Sequence, residues 1–370
     1  MHVLILSANT GTGHNSTAQA IAEQFEKLNV DCEIADTLSF ISERVSEFIS
    51  WGHSYVYRKM PRLFGVGYRY EEKHPPRFIY ERCAKGADAL WERLKSKHYD
   101  AVICVHVFSG MMMTEVRARY HDLTPAFFVA TDYTCSPGVS ELNLDAYFIP
   151  HRMLLGEFLK NGTVPANKMF ATGIPVRRTF YESQSKQEAR RLLGLPEDGQ
   201  IVLISCGSMG CGRLERATLM MLRHLPATAH LVVLCGRNEK LLHALTPHEN
   251  ERLHPIGFTD AVPSYMSAAD VYLTKPGGLS TSEAIVRRVP MIFINAVPGL
   301  ETRNFEFLIS CGVASGAKSW RQAALITQKL LRKPSVAEKQ TDAMKCFTQQ
   351  NAAEQLCQEV IRQIKTSYNT

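Results

Sequence analysis

No stretch of 18 or more apolar residues occurs in this chain of 370 residues, so no helix is expected to cross a bilayer. The opening residues, MHVLILSANTGTGH, do not make a secretory leader. Their apolar run is too short, and a Gly-rich turn stands where a cleavage site belongs. The ten cysteines form no CxxC pair, and no HExxH occurs. Cys104, Cys206 and Cys235 lie inside apolar runs, where they are expected to be small buried hydrophobes. A reduced, cytosolic, metal-free chain is the simplest expectation. No internal repeat or low-complexity tract is present, and a third glycine to complete a dinucleotide fingerprint after Gly11 and Gly13 is missing. What remains is ordinary globular composition, 45% hydrophobic and 21% charged, at a length that favours two domains.

The net charge of +6 is unevenly spread. Residues 51–85 hold eight Lys or Arg and three Glu, a balance of +5, which leaves +1 for the rest. Trp51, Tyr55, Tyr57, Phe64, Tyr68, Tyr70, Phe78 and Tyr80 are interleaved with these basic groups. Aromatic and basic residues together suit an anionic membrane surface. The same mixture serves single-stranded nucleic acid, or an insertion whose aromatics pack inward.

Short apolar runs alternate with helical periods along the whole chain. Strands are expected near 2–8, 31–35, 100–107, 125–131, 145–149 and 168–172, then near 201–206, 230–235, 254–257, 271–274 and 291–295. Residues 14–28 share one apolar face through Ala18, Ile21, Phe25 and Leu28, which predicts a helix. Further helix is expected over 183–195, and one long or broken helix over 336–365. Continuous apolar strands separated by helices predict parallel sheets covered on both faces. The fold class is therefore α/β, with two doubly wound, Rossmann-like domains facing across a cleft. Their expected bounds are 1–174 and 175–335, with residues 336–370 a terminal helix packing back.

The richest stretch is Lys275 to Asn304, KPGGLSTSEAIVRRVPMIFINAVPGLETRN. A strand runs into Pro276-Gly277-Gly278, a helix opens, another strand follows, and a second tight turn leads to Glu301 and Asn304. Two helix N-termini beyond neighbouring strands make an anion site. Amides suit a pyrophosphate, and the carboxylates Glu283 and Glu301 suit sugar hydroxyls, so the pair points to a nucleotide-sugar site. Each turn alone also reads as ordinary helix capping. Cys206-Gly207-Ser208-Met209-Gly210 offers a second phosphate nest or merely close strand–helix packing. In Ser7 to His14, Gly11 and Gly13 allow a tight turn. His14 sits near a helix N-terminus, where the dipole favours a neutral imidazole able to act as a base. Spacing alone does not separate that role from a surface histidine. Asp132 and His106 end strands at the same expected cleft, where each can serve substrate or structure.

Together these residues resemble the monogalactosyldiacylglycerol synthases and bacterial diacylglycerol glucosyltransferases, relatives of the lipid-linked N-acetylglucosaminyltransferase of peptidoglycan synthesis. The resemblance covers roughly residues 3–330. It is carried by Gly11-x-Gly13-His14, the His106 strand end, Thr131-Asp132-Tyr133, Gly207-Ser208-x-Gly210, Gly257-Phe258, Lys275 to Gly278, Glu283 and Pro298-Gly-x-Glu301-x-x-Asn304. It implies a GT-B fold, a UDP-sugar donor in the C-terminal domain and a lipid acceptor in the N-terminal one. It also implies no metal or other cofactor, because amides and helix dipole neutralise the leaving diphosphate. One inverting displacement onto diacylglycerol is the implied reaction, on the inner face of the cell membrane, docked through residues 51–85, with no nucleic-acid partner. By the match His14 is the base, while Gly207, Ser208, Gly210, Gly277 and Gly278 hold the diphosphate. Glu283 binds ribose, Glu301 and Asn304 the donor sugar, and Phe258 lies by the uracil; Gly11, Gly13, His106 and Asp132 border the acceptor. Two positions depart from the pattern. Asn9 stands where plant-type synthases have aspartate, and the run after Tyr133 lacks a His and a Trp that glucosyltransferases often carry. The rivals are another lipid acceptor, such as a polyprenyl-diphosphate-linked sugar, an isomerase of the UDP-N-acetylglucosamine 2-epimerase kind, and a non-catalytic nucleotide-sugar sensor.

Overall fold

The computed structural model describes all residues except 10–11, 43–59, 73, 75–76, 161–163, 206–213, 349–350 and 368–370. The chain divides into two compact units. One comprises Met1–Arg178, Val297–Arg303 and Gln350–Thr370, and the other Thr179–Ala296 and Asn304–Gln349.

The first unit is built on β1 (His2–Ser7), β2 (Asp31–Asp36), β3 (Ala101–Cys104), β4 (Ala126–Val129), β5 (Ala146–Ile149) and β6 (Met169–Ala171). They form one parallel sheet in the order β2-β1-β3-β4-β5-β6. Val3 to Leu6 are wholly buried, because helices cover both faces and leave no polar side to the strand. On one face the helix Thr12–Lys27 packs Ala18, Ile21 and Phe25 against Val3, Ile5 and Ile103. The C-terminal helix Ala352–Ser367 adds Leu356, Cys357, Val360 and Ile364 to that core, and the Cys357 thiol reaches the Ile21 carbonyl. Residues 336–365 are thus two helices, Pro334–Met344 and Ala352–Ser367, and they fall in different units.

The second unit holds β7 (Gln200–Ser205), β8 (Ala229–Leu234), β9 (Leu253–Ile256), β10 (Val271–Thr274), β11 (Met291–Phe293) and β12 (Ala314–Gly316). These are also parallel, in the order β12-β11-β10-β7-β8-β9, the Rossmann order. β12 was not anticipated: three small residues give no apolar run to read. Its Gly316 is needed for packing, since an added Cβ would overlap the Phe305 ring. Cys104 and Cys235 are buried in the two sheets as expected, and burial pushes the Cys104 thiol up to about 12; Cys206 lies outside the described residues.

Each sheet reverses its winding once, between β1 and β3 in the first and between β7 and β10 in the second. At such a point the loops leaving the two carboxyl ends diverge and open a crevice. The turn before His14 follows β1, and His106 follows β3. In the second sheet Lys275-Pro276-Gly277-Gly278 follows β10.

Candidate active site

Three strand ends of the first unit converge on His14. The histidine sits in the first turn of the helix Thr12–Lys27, half-buried. Its Nδ1 lies 3.1 Å from the Val105 carbonyl, just beyond β3, and 3.1 Å from Thr131 Oγ1, just beyond β4. A carbonyl oxygen only accepts, so Nδ1 carries the proton and the lone pair of the neutral ring is on Nε2. That is the tautomer in which Nε2 takes a proton. The His106 ring meets His14 edge to face, with centroids 4.5 Å apart. His106 also caps the helix Val107–Tyr120: its Nδ1 accepts from Phe108 N at 3.0 Å, and Ser109 completes the capping box. The strand-end histidine therefore has a structural task and borders the candidate base as well. Asp132 is half-buried at the end of β4. Gly13 lies in the first helical turn, and Gly11 is outside the described residues.

A polar chain that sequence reading missed pins the turn after β1. Asn9 gives its side-chain amide to Asp36 Oδ2 at 3.0 Å, Asn15 donates to Asn9 Oδ1 at 2.8 Å, and Ser7 donates to Asn15 Oδ1 at 2.6 Å. Asp36 ends β2, so its place beside the turn came from pairing and not from motif. The chain also accounts for the departure at position 9. An aspartate there would face the Asp36 carboxylate, whereas Asn9 supplies a donor. The run after Tyr133, the second departure, is held by Glu157, which accepts from the Thr134 hydroxyl and, at 2.9 Å, from Cys135 N.

In the second unit, Gly277 is the N-cap of the helix Gly278–Arg287 and offers no side-chain acceptor to the first-turn amides. Asn304 clamps this turn by donating to the Pro276 carbonyl at 2.9 Å. The asparagine that the resemblance gave to the donor sugar is wholly buried and shapes the glycine turn. Glu283 is buried in the same helix. Phe258 is 62% exposed, with the Arg237 guanidinium 5.1 Å from its ring centroid. Gly207, Ser208 and Gly210 lie outside the described residues.

The turn carrying Glu301 belongs to the first unit. Glu301 is buried, and its Oε2 accepts from Val297 N at 2.7 Å, closing the loop on itself. Gly299 there has φ +101°, in the left-handed region that suits glycine. The helix Pro61–Glu71 packs on this turn. Gly65 sits on Pro298, Tyr68 sits on Gly299, and Glu72 pairs with Arg303 at 3.2 Å.

Residues 14–176 match the sequence profile of the monogalactosyldiacylglycerol (MGDG) synthase family, and residues 201–312 match the glycosyltransferase family 28 C-terminal domain. Over 380 residues the chain is 26% identical to a processive diacylglycerol beta-glucosyltransferase of Bacillus licheniformis, covering 100% of this chain and 96% of that one. Its fold is similar to MurG of Acinetobacter baumannii, with a TM-score of 0.61 and 16% identity over 98% of this chain and 99% of the other. It is also similar to Anabaena HepE in complex with UDP-glucose, with a TM-score of 0.60 and 13% identity over 99% and 100% of the two chains. The two six-stranded parallel sheets are thus those of a GT-B fold, and the resemblance read from the sequence holds over both halves.

Proposed function

We propose that this chain, a glycosyltransferase by its two family domains, moves a hexose from a UDP-sugar to diacylglycerol at a membrane surface. The observation that carries the reading is His14, held with its Nδ1 on the Val105 carbonyl at the switch point of a unit that matches the MGDG synthases. In this reading Nε2 of His14 takes the proton of the acceptor hydroxyl as that oxygen attacks the anomeric carbon. The new C–O bond forms while the bond to UDP breaks from the opposite face, so the configuration inverts. The diphosphate leaves toward the N-terminus of Gly278–Arg287, where amides and dipole meet its charge without a metal. The similarity to the diacylglycerol beta-glucosyltransferase supports the acceptor, and the similarity to a UDP-glucose complex supports the donor.

The test is purified protein with anionic liposomes containing diacylglycerol and a panel of radiolabelled UDP-hexoses. Label extracted with the lipid is the expected result, and one labelled sugar names the donor. Label that needs a different lipid moves the acceptor. Sugar interconversion without lipid label sinks the reading in favour of the epimerase class. Glu283→Ala is expected to raise the donor KM by about 10–100-fold with little change in kcat. That is the size of a lost hydrogen bond to a charged group that binds ribose alike in ground and transition states. An unchanged donor KM would remove the ribose role.

Docking on the membrane has support from helical phase. In Pro61–Glu71, Leu63, Val66 and Tyr70 recur at i, i+3 and i+7 and are all exposed, with Arg69 exposed beside them. Gly65 and Tyr68, on the opposite face, are buried. An apolar stripe turned to solvent beside basic groups fits the interface of an anionic bilayer. The double substitution Leu63→Ser with Val66→Ser is expected to weaken binding to anionic vesicles at least tenfold, since each buried side chain of this size contributes about 1.5–3 kcal/mol when fully buried. Sedimentation with unchanged vesicle affinity would count against this face.

A further inference from the structure

Tyr68 is 8% exposed, and among the described residues its hydroxyl has no hydrogen-bond partner. This is unusual, because a buried tyrosine hydroxyl normally finds one. Two other tyrosines of the same unit follow that rule. Tyr147 donates to the Leu142 carbonyl at 2.6 Å, and Tyr99 donates to Glu33 at 2.6 Å. A phenylalanine would fill the same space without an unpaired polar atom, so folding alone gives no reason for the hydroxyl.

The surroundings supply a reason. Cβ and Cγ of Tyr68 lie 3.0 and 2.9 Å from the point where Gly299 would carry a Cβ, so the ring leaves from the turn that holds Glu301. Of the surrounding charges the hydroxyl feels Asp132 most strongly, then Glu72 and Glu157. Burial is the main cause, and these carboxylates the lesser one, that raises the phenol above its usual range and keeps it protonated. The side chain thus stands on the Glu301 turn with its buried hydroxyl unpaired, and Asp132, three residues beyond β4, is the charge it feels most.

We propose that Tyr68 is a substrate-binding residue whose hydroxyl donates a hydrogen bond to a hydroxyl oxygen of the bound substrate. This rests on the transferase reading above. The ligand oxygen is a sugar hydroxyl of the donor or the free hydroxyl of the lipid acceptor, which share this chemistry. Because the hydroxyl is closed off from solvent, substrate entry is accompanied by a small shift of the ring or of the turn beneath it.

The experiment compares the full-length wild type with Tyr68→Phe, which keeps the ring on Gly299 and removes only the oxygen. Both are assayed with the UDP-hexose that labels lipid in the wild type, at varied donor and varied surface diacylglycerol, and both are melted without substrate. We expect kcat/KM to fall about tenfold, the effect of one hydrogen bond, while the substrate-free Tm stays equal or rises. A loss confined to donor KM and to UDP-hexose affinity by calorimetry assigns the partner to the sugar. A loss in the diacylglycerol dependence assigns it to the acceptor. Kinetics within twofold of wild type on both axes overturn the proposal, and so does a Tm several degrees lower, which would reveal a structural partner. A wild type that labels no lipid is a separate failure, that of the transferase reading.

Discussion

His14→Ala is expected to lower kcat by roughly 10²–10⁴-fold, the usual worth of a positioned general base, and to leave the donor KM close to wild type. The split follows from where the ring is held. Its partners, the Val105 carbonyl and Thr131 Oγ1, belong to the first unit, as does the His106 ring against it. The groups proposed to grip ribose and diphosphate, Glu283 and Gly277–Gly278, belong to the second. Removing a proton acceptor takes away an interaction made as the acceptor hydroxyl loses its proton, so kcat and kcat/KM fall together. A His14→Ala enzyme of unchanged kcat would end the base assignment, and the sugar-transfer reading would then need another group beside the acceptor.

The histidine proposed as base was legible in the sequence as a position, but the parts that hold it were not. Gly13-His14 after a strand is a local pattern. The two Nδ1 partners lie 91 and 117 residues away, and only the parallel order β1-β3-β4 brings them there. The strands themselves were readable wherever a continuous apolar run marks burial on both faces, as in β1, β7 and β8. The three small residues of β12 left no such mark. Residues 51–85 show the limit of composition most plainly. Tyr68 and Tyr70 contribute equally to an aromatic count, yet helical phase turns one onto Gly299 and leaves the other 63% exposed. A stretch whose composition left a membrane surface and inward packing side by side is, over Pro61–Glu71, a helix with an inner face for the Glu301 turn and an outer face for solvent. The Asp36–Asn9–Asn15–Ser7 chain was hidden for a related reason. Asp36 reads as the polar end of a strand until strand pairing sets it beside the turn.

Gly277→Val is expected to weaken UDP binding at least 100-fold, about 2.7 kcal/mol, while costing the fold less than about 1 kcal/mol. The glycine is not demanded by the protein's own structure. Its φ of −76° and ψ of 141° are open to any residue, and among the described residues no atom lies within 4 Å of an added Cβ. Gly316 is the opposite case, with the Phe305 ring occupying the space of its Cβ. Glycines of the second kind are kept for packing, and Gly316→Ala should lower Tm through steric conflict in the β12 region. Gly277 has open space beside a helix N-terminus, which is what close approach of a diphosphate requires. The two variants therefore separate the readings of a Pro-Gly-Gly turn that sequence left side by side. If the glycine is only a cap, Gly277→Val binds UDP like wild type, because a side chain pointing into open space disturbs nothing. If the turn receives the donor, the variant melts near wild type and binds UDP poorly. A Gly277→Val protein that melts as low as Gly316→Ala would show that the space is filled by the fold itself, and the diphosphate site would have to be sought elsewhere than at the end of β10.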